Sequence, residues 1–243
     1  MTVAPSVEKS VQEQPRTWAY WLDPTRIPAH IWIIAVILLL VPTFTSEFTQ
    51  YQIFGWAFIL GMISLSLMIL AGYGGMVSLV QMTAAASAGY AIAIFGTSAV
   101  TEISFAWPWA IAVIIAIFAS VLVCVISGAL AIRTEGIYTI MITLAIGSAF
   151  FYFTRQNYSV FNGFTGFNGV QTPVLFGVNW KEPTPFYYLT LGISALSYWF
   201  TKHLARTPFG LALQGVRDNP RRKAAMGFSV NAHRLAAYAI AGV

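Results

Sequence analysis

Long runs without a single ionisable side chain constrain this chain more than any other feature. Residues 48–101 hold no Asp, Glu, Lys, Arg or His, and neither do 103–132, 136–154 or 183–201. A helix rises about 1.5 Å per residue and a bilayer's hydrocarbon core is about 30 Å thick, so about 20 such residues cross it once. The run at 48–101 is 54 residues long and must hold two crossings and a turn, divided at the glycine-rich 71–75. Spans are expected near 29–46, 52–71, 77–96, 108–131, 136–153 and 186–202, with a seventh beginning at Leu235. The expected fold class is all-α: a polytopic membrane helical bundle of six complete spans plus the start of a seventh. A polar arm over 1–28 precedes a transmembrane domain over 29–243. From Leu235 to Val243 a helix reaches only about 14 Å. Half a crossing would leave open carbonyls in lipid, so the chain is expected to be truncated at its C-terminus.

Composition removes the other classes. The chain is 58% hydrophobic and 9% charged, against about 25% charged in an average soluble domain. Thirteen Lys and Arg with eight Asp and Glu on 243 residues cannot cover a soluble surface. Intrinsic disorder needs low hydrophobicity and is excluded by the same values. One cysteine, Cys124, permits no intrachain disulfide.

Basic residues set the expected orientation. Seven of the thirteen (Lys202, Arg206, Arg217, Arg221, Arg222, Lys223 and Arg234) lie between 201 and 234, with Asp218 as the one acid there. The positive-inside rule places that loop, 203–234, in the cytoplasm. Counting spans back puts 133–135 inside, 97–107 and 154–185 outside, and the N-terminus inside. Lys9, Arg16 and Arg26 agree with that last placement.

The expected spans carry no ionisable residue at mid-depth. Glu47, Glu102, Arg133, Glu135 and Arg155 fall at span edges, as do His30, His203 and His233. Proton-coupled carriers need buried carboxylates or histidines, and haem needs paired histidines, so proton coupling and electron transfer are disfavoured. A sodium-coupled carrier using backbone carbonyls stays open. No metal cluster and no cofactor is expected.

Residues 72–90 are dense in Gly, Ala, Ser and Thr, with Ser78, Gln81 and Thr83 as polar groups. Small residues let helices approach closely, and a glycine cluster can break a helix and free its backbone for a polar solute. Tight packing and a solute pathway are both open. A second stripe, Ala116, Ser120, Cys124 and Gly128, recurs at spacing four and reads as a helix-contact face. In the outer loop Asn-Gly occurs at 162–163 and 168–169, which predicts tight turns with positive φ.

The basic loop predicts two short helices. Phe209, Leu213 and Val216 share one face, Asp218-Asn-Pro220 ends the first helix, and Gly227 caps a second turn or two after Arg221. An amphipathic basic helix pair in the cytoplasm is a docking element, or else an anchor on lipid headgroups. Nucleic-acid binding is disfavoured, with only Phe209 and Phe228 as aromatics there.

The stretch Phe-Gly-Leu-Ala-Leu-Gln-Gly-Val-Arg-Asp-Asn-Pro-Arg-Arg-Lys-Ala-Ala-Met-Gly-Phe-Ser-Val at 209–230 resembles the cytoplasmic coupling loop of branched-chain amino acid ABC importer permeases. Gly72-Tyr-Gly-Gly-Met-Val-Ser-Leu-Val-Gln81, Arg133-Thr-Glu-Gly-Ile-Tyr138 with Thr143-Leu144, and Thr165-Gly-Phe-Asn-Gly169 are similar to further segments of that family, in the same order. Val80, Ala84–Ala86 and Lys223 depart from its usual residues, and some relatives move urea or short amides. The resemblance implies a permease in a bacterial inner membrane, paired with a second homologous permease subunit. Two cytoplasmic ATP-binding subunits dock below and an extracytoplasmic solute-binding protein above. It implies docking by Phe209, Gly210, Leu213, Arg217, Asp218, Asn219, Arg221, Arg222, Met226 and Gly227. A pathway near Tyr73, Gly74, Ser78, Gln81, Thr83 and Thr143 follows, with Thr165, Gly166, Asn168 and Gly169 in the outer loop. The chain has no G-x-x-x-x-G-K phosphate loop followed by Ser or Thr, so ATP hydrolysis would belong to a partner. A stand-alone carrier or channel for a small neutral or zwitterionic solute is the alternative. A membrane enzyme lacks any matching cluster of catalytic residues.

Overall fold

The computed structural model describes residues 29–100, 103–134, 136–171, 174–175 and 178–243. The expected arm at 1–28, with Lys9, Arg16 and Arg26, and the edge acids Glu102 and Glu135 lie outside the described residues. The chain divides into two units, Met1–Thr45 and Ser46–Val243. In the first, α1 (Ala29–Phe44) is almost entirely apolar. Its last turn is closed by Thr43 and Thr45, whose hydroxyls donate to the Leu40 and Val41 carbonyls at 2.6 and 2.9 Å.

Among the described residues, the regular elements of the second unit are helices and one minimal hairpin. Helix α2 (Thr49–Tyr73) is α-helical over Trp56–Met68 and π-helical at both ends, Thr49–Gly55 and Ile69–Tyr73. It is followed by α3 (Gln81–Phe95), α4 (Trp109–Ala131), α5 (Ile137–Gln156) and the single turn α6 (Tyr158–Phe161). Strands β1 (Val174–Leu175) and β2 (Val178–Asn179) pair antiparallel, Val174 opposite Asn179. Then come α7 (Pro183–Leu204), α8 (Pro208–Asp218), α9 (Pro220–Ala225) and α10 (Val230–Ala241).

Helices α2, α4 and α5 are each long and apolar enough to cross a membrane. Two expected boundaries shift by more than three residues. The third helix begins at Gln81 rather than 77 and has 15 residues, because 74–80 is unwound. Helix α10 begins at Val230, not Leu235. Asn231, His233 and Arg234 lower the hydropathy of its first turns without preventing a helix.

The spacing-four stripe of α4 is a contact face. Ala116, Ser120, Cys124 and Gly128 are all buried, in contact with α3 on one side and α10 on the other. A Cβ on Gly128 would lie 2.6 Å from Tyr238 Cγ, so the glycine is what lets the Tyr238 ring lie against α4. On the opposite face Ile114, Phe118, Leu122 and Ile126 stay exposed. Small residues inward and large apolar ones outward is the arrangement that lipid, rather than water, allows. Helix α2 runs along α7: Phe186 covers Gly55, and Phe54 and Phe58 pack edge-on to Tyr187 at 5.8 and 5.6 Å. Leu70, Met76, Ala131, Leu213, Ala237 and Tyr238 form a core that joins the end of α2 to α4, α8 and α10.

Candidate functional site

The glycine cluster ends α2 as its composition predicts. Gly74 N–H donates to the Ile69 carbonyl at 3.2 Å and Met76 N–H to Leu70 at 3.0 Å, while Gly75 takes φ +67°. A Cβ on Gly74 would sit 2.7 Å from the Leu70 oxygen and one on Gly75 2.5 Å from Arg217 Cγ. From there to Val80 the chain is not helical, and burial alternates along it: Met76, Ser78 and Val80 are buried, Val77 and Leu79 exposed. Leu79 N–H donates to Thr143 Oγ1 at 3.2 Å, and that hydroxyl donates to the Thr139 and Ile140 carbonyls of its own helix at 3.0 Å. Thr143 therefore fastens the unwound segment to α5. Thr83 faces the same helix, its Oγ1 3.1 Å from where a Gly147 Cβ would stand.

Gln81, the first residue of α3, is 6% exposed, and neither its Nε2 nor its Oε1 has a hydrogen-bond partner. It lines a largely apolar cleft of about 570 Å³ between α2, α3, α4, α7 and the end of α10, with Ser66, Ala84, Ala88, Ser120 and Thr201. A buried amide keeps its full hydrogen-bonding capacity there, two donors and one acceptor group. Of the six expected pathway residues, Gln81 lines this cleft. Tyr73 packs against the core of Leu70 and Met76, Ser78 is fully buried and accepts from Val80 N–H at 3.4 Å, and Gly74 is buried at the helix end. Thr83 faces α5, and Thr143 is on that helix.

The basic loop folds from its caps. Thr207 Oγ1 accepts from Gly210 N–H at 3.3 Å with Pro208 in the first turn, and Asn219 Oδ1 accepts from Arg222 N–H at 2.9 Å with Pro220 in the first turn. These are N-cap side chains followed by proline, the sequence order a helix start favours. Gly227, at φ +84°, closes α9 with Phe228 N–H on the Lys223 carbonyl at 3.2 Å. The apolar face turns inward: Gly210, Leu213 and Val216 are buried, and Phe209 stacks on His233 with centroids 6.0 Å apart. A Cβ on Gly210 would collide with the Leu204 oxygen. Asp218, Asn219, Arg221, Arg222, Met226 and Gly227 face out. So does Leu211, 58% exposed, which sequence reasoning passed over because it lies off the Phe209–Leu213–Val216 face. Arg217 does something the sequence gives no sign of. Its Nη1 donates to the Gly72 carbonyl at 2.6 Å, at the end of α2, and its Nε and Nη2 hold Asp218 Oδ1 at 3.0 Å.

In the loop after α6 Asn162 and Gly163 both take positive φ, as do Gly166 and Gly169. Asn162 Nδ2 donates to the Gly166 carbonyl at 2.7 Å. Asn168 accepts from Ala99 N–H at 3.2 Å, tying the loop to the segment after α3. Thr165, Asn168 and Gly169 are exposed. The Arg155 guanidinium lies 3.9 Å from the Phe164 ring centroid.

A family model described as the permease component of the branched-chain amino acid transport system matches residues 50–243. The chain belongs to that permease family. No curated protein and no solved structure matches it. As a member of a transport permease family it is a membrane transport subunit rather than an enzyme. In this permease the expected docking residues divide in two. Phe209, Gly210 and Leu213 hold α8 to the bundle and Arg217 reaches the end of α2, whereas Asp218, Asn219, Arg221, Arg222, Met226 and Gly227 form the free surface with Leu211.

Proposed function

We propose that the permease is the membrane subunit of an ATP-driven importer for branched-chain amino acids or a related small polar solute. It pairs with a second homologous permease. An extracytoplasmic solute-binding protein delivers the solute, and two cytoplasmic ATP-binding subunits drive alternating access. Six complete spans with the start of a seventh, the N-terminus in the cytoplasm and a bacterial inner membrane belong to the same reading. The coupling loop is 203–234, and α8 and α9 are the elements the ATP-binding subunits grip. The observation that carries this is the division of α8 into two faces. Leu213 and Val216 anchor it in the bundle, while Leu211, Arg221, Arg222 and Met226 are left uncovered beside it. An exposed apolar pair among cations suits an acidic-rimmed cleft on a protein. The pathway passes the unwound segment 74–80 and the Gln81 cleft, whose apolar walls and free amide suit a small solute with a polar head.

The test is co-purification with the ATP-binding subunits. Leu211→Asp and Met226→Asp are expected to abolish it while the permease still inserts and stays folded, since neither side chain is packed. Undiminished co-purification of both variants contradicts docking at this surface. Solute uptake that persists without any ATP-binding subunit favours the stand-alone carrier.

A further inference from the structure

We propose that Arg217 is a positioning residue that transmits movement of α8 to the unwound segment 74–80 by holding the Gly72 carbonyl. This rests on the reading of α8 and α9 as the ATPase-driven elements. Gly72 lies in the last turn of α2, where carbonyls lack the N–H partners of the next turn. Leu70 and Ile69 find theirs in Met76 and Gly74; Gly72 takes the Arg217 guanidinium instead, at 2.6 Å. A cation is favoured there because the carbonyl end of a helix carries partial negative charge. Asp218 holds the other edge of the guanidinium at 3.0 Å, which fixes the plane of the fork. The stem is held as well. Gly75, three residues beyond Gly72, lies so close to Arg217 Cγ that a Cβ would stand 2.5 Å from it, and its φ of +67° suits glycine. Arg217 is thus gripped at head and stem by the two ends of the turn that begins the unwound segment.

The segment beyond runs from this turn to the cleft. Its residues 76–80 are not helical; Leu79 is fastened to α5 through Thr143, and Gln81 opens on the cleft. Displacing α8 would pull the Gly72–Gly75 turn and so shift where Gln81 begins α3. The link does not require α8 to touch the cleft itself.

The experiment uses the permease assembled with its ATP-binding subunits in nanodiscs, in a Cys124→Ala background, with Val77→Cys as reporter. Val77 is exposed within the unwound segment, and Cys124 is the chain's one cysteine. Labelling by a membrane-impermeant maleimide is timed with and without ATP and vanadate, and ATP hydrolysis and co-purification are measured on the same samples. With Arg217 present the labelling rate changes on nucleotide trapping. Arg217→Gln is expected to keep the subunits together yet cut that change about tenfold, the order that loss of one charge-assisted hydrogen bond gives. Arg217→Lys, which can still donate to Gly72, is expected to restore most of it. Full nucleotide response in Arg217→Gln overturns the link, and so does loss of co-purification in that variant, which would make Arg217 a docking residue. If the unmutated permease neither binds nor stimulates its ATP-binding subunits, the importer reading itself fails and the link falls with it.

Discussion

At the scale of single residues, the contacts that matter are made by side chains that are missing or unpaired. Gly128 is where Tyr238 lies against α4, with three of its carbons within 2.9 Å of a would-be Cβ. Gly128→Val is expected to lower thermal stability in detergent, at a cost of about 1–3 kcal/mol for overpacking. Gly61 in α2 has nothing within 4 Å of its Cβ position. There Gly61→Ala is expected to raise stability by about 0.5–1 kcal/mol through lower backbone entropy in the unfolded chain. A melt in which both variants shift the same way contradicts this pair. Gln81 is the reverse case, a buried amide with no partner. Such a group costs about 1–3 kcal/mol, so Gln81→Leu is expected to be at least as stable as the parent while importing solute more slowly. A destabilised Gln81→Leu would mean that the amide serves packing.

At the scale of elements, α9 shows how little holds the exposed handle. It has six residues, no buried side chain, and one side-chain cap, Asn219 Oδ1 on Arg222 N–H. Asn219→Ala is expected to cost about 1 kcal/mol and to speed amide hydrogen exchange over 220–226 while leaving α4 protection unchanged. The elements also show what was legible beforehand. The stripe of Ala116, Ser120, Cys124 and Gly128 announced its contact by spacing alone, and Asn219-Pro220 and Gly227 announced the ends of α8 and α9. The length of the break after Gly75 was hidden, because Val77, Leu79 and Val80 are apolar and read as helix until Thr143 is seen to hold Leu79. The apolar face of Phe209 and Leu213 is a similar case. Periodicity finds an apolar face without saying what covers it, and here the permease covers that face itself. The π-helical ends of α2 and the reach of Arg217 to Gly72 depend on contacts between elements far apart in sequence.

At the scale of the whole permease, the features separate along the chain. Apolar helices α2, α4 and α5 are fit to cross a membrane. Between α2 and α3 lies a break beside a cleft with one free amide, and after α7 come two short helices bearing Arg221 and Arg222 on an uncovered surface. The most direct measurement is the sidedness and occupancy of Met226→Cys in a Cys124→Ala permease. A membrane-impermeant maleimide is expected to label it from the cytoplasmic side alone, and bound ATP-binding subunits are expected to protect it. Labelling from the outer side, or equal labelling with and without those subunits, would contradict that expectation.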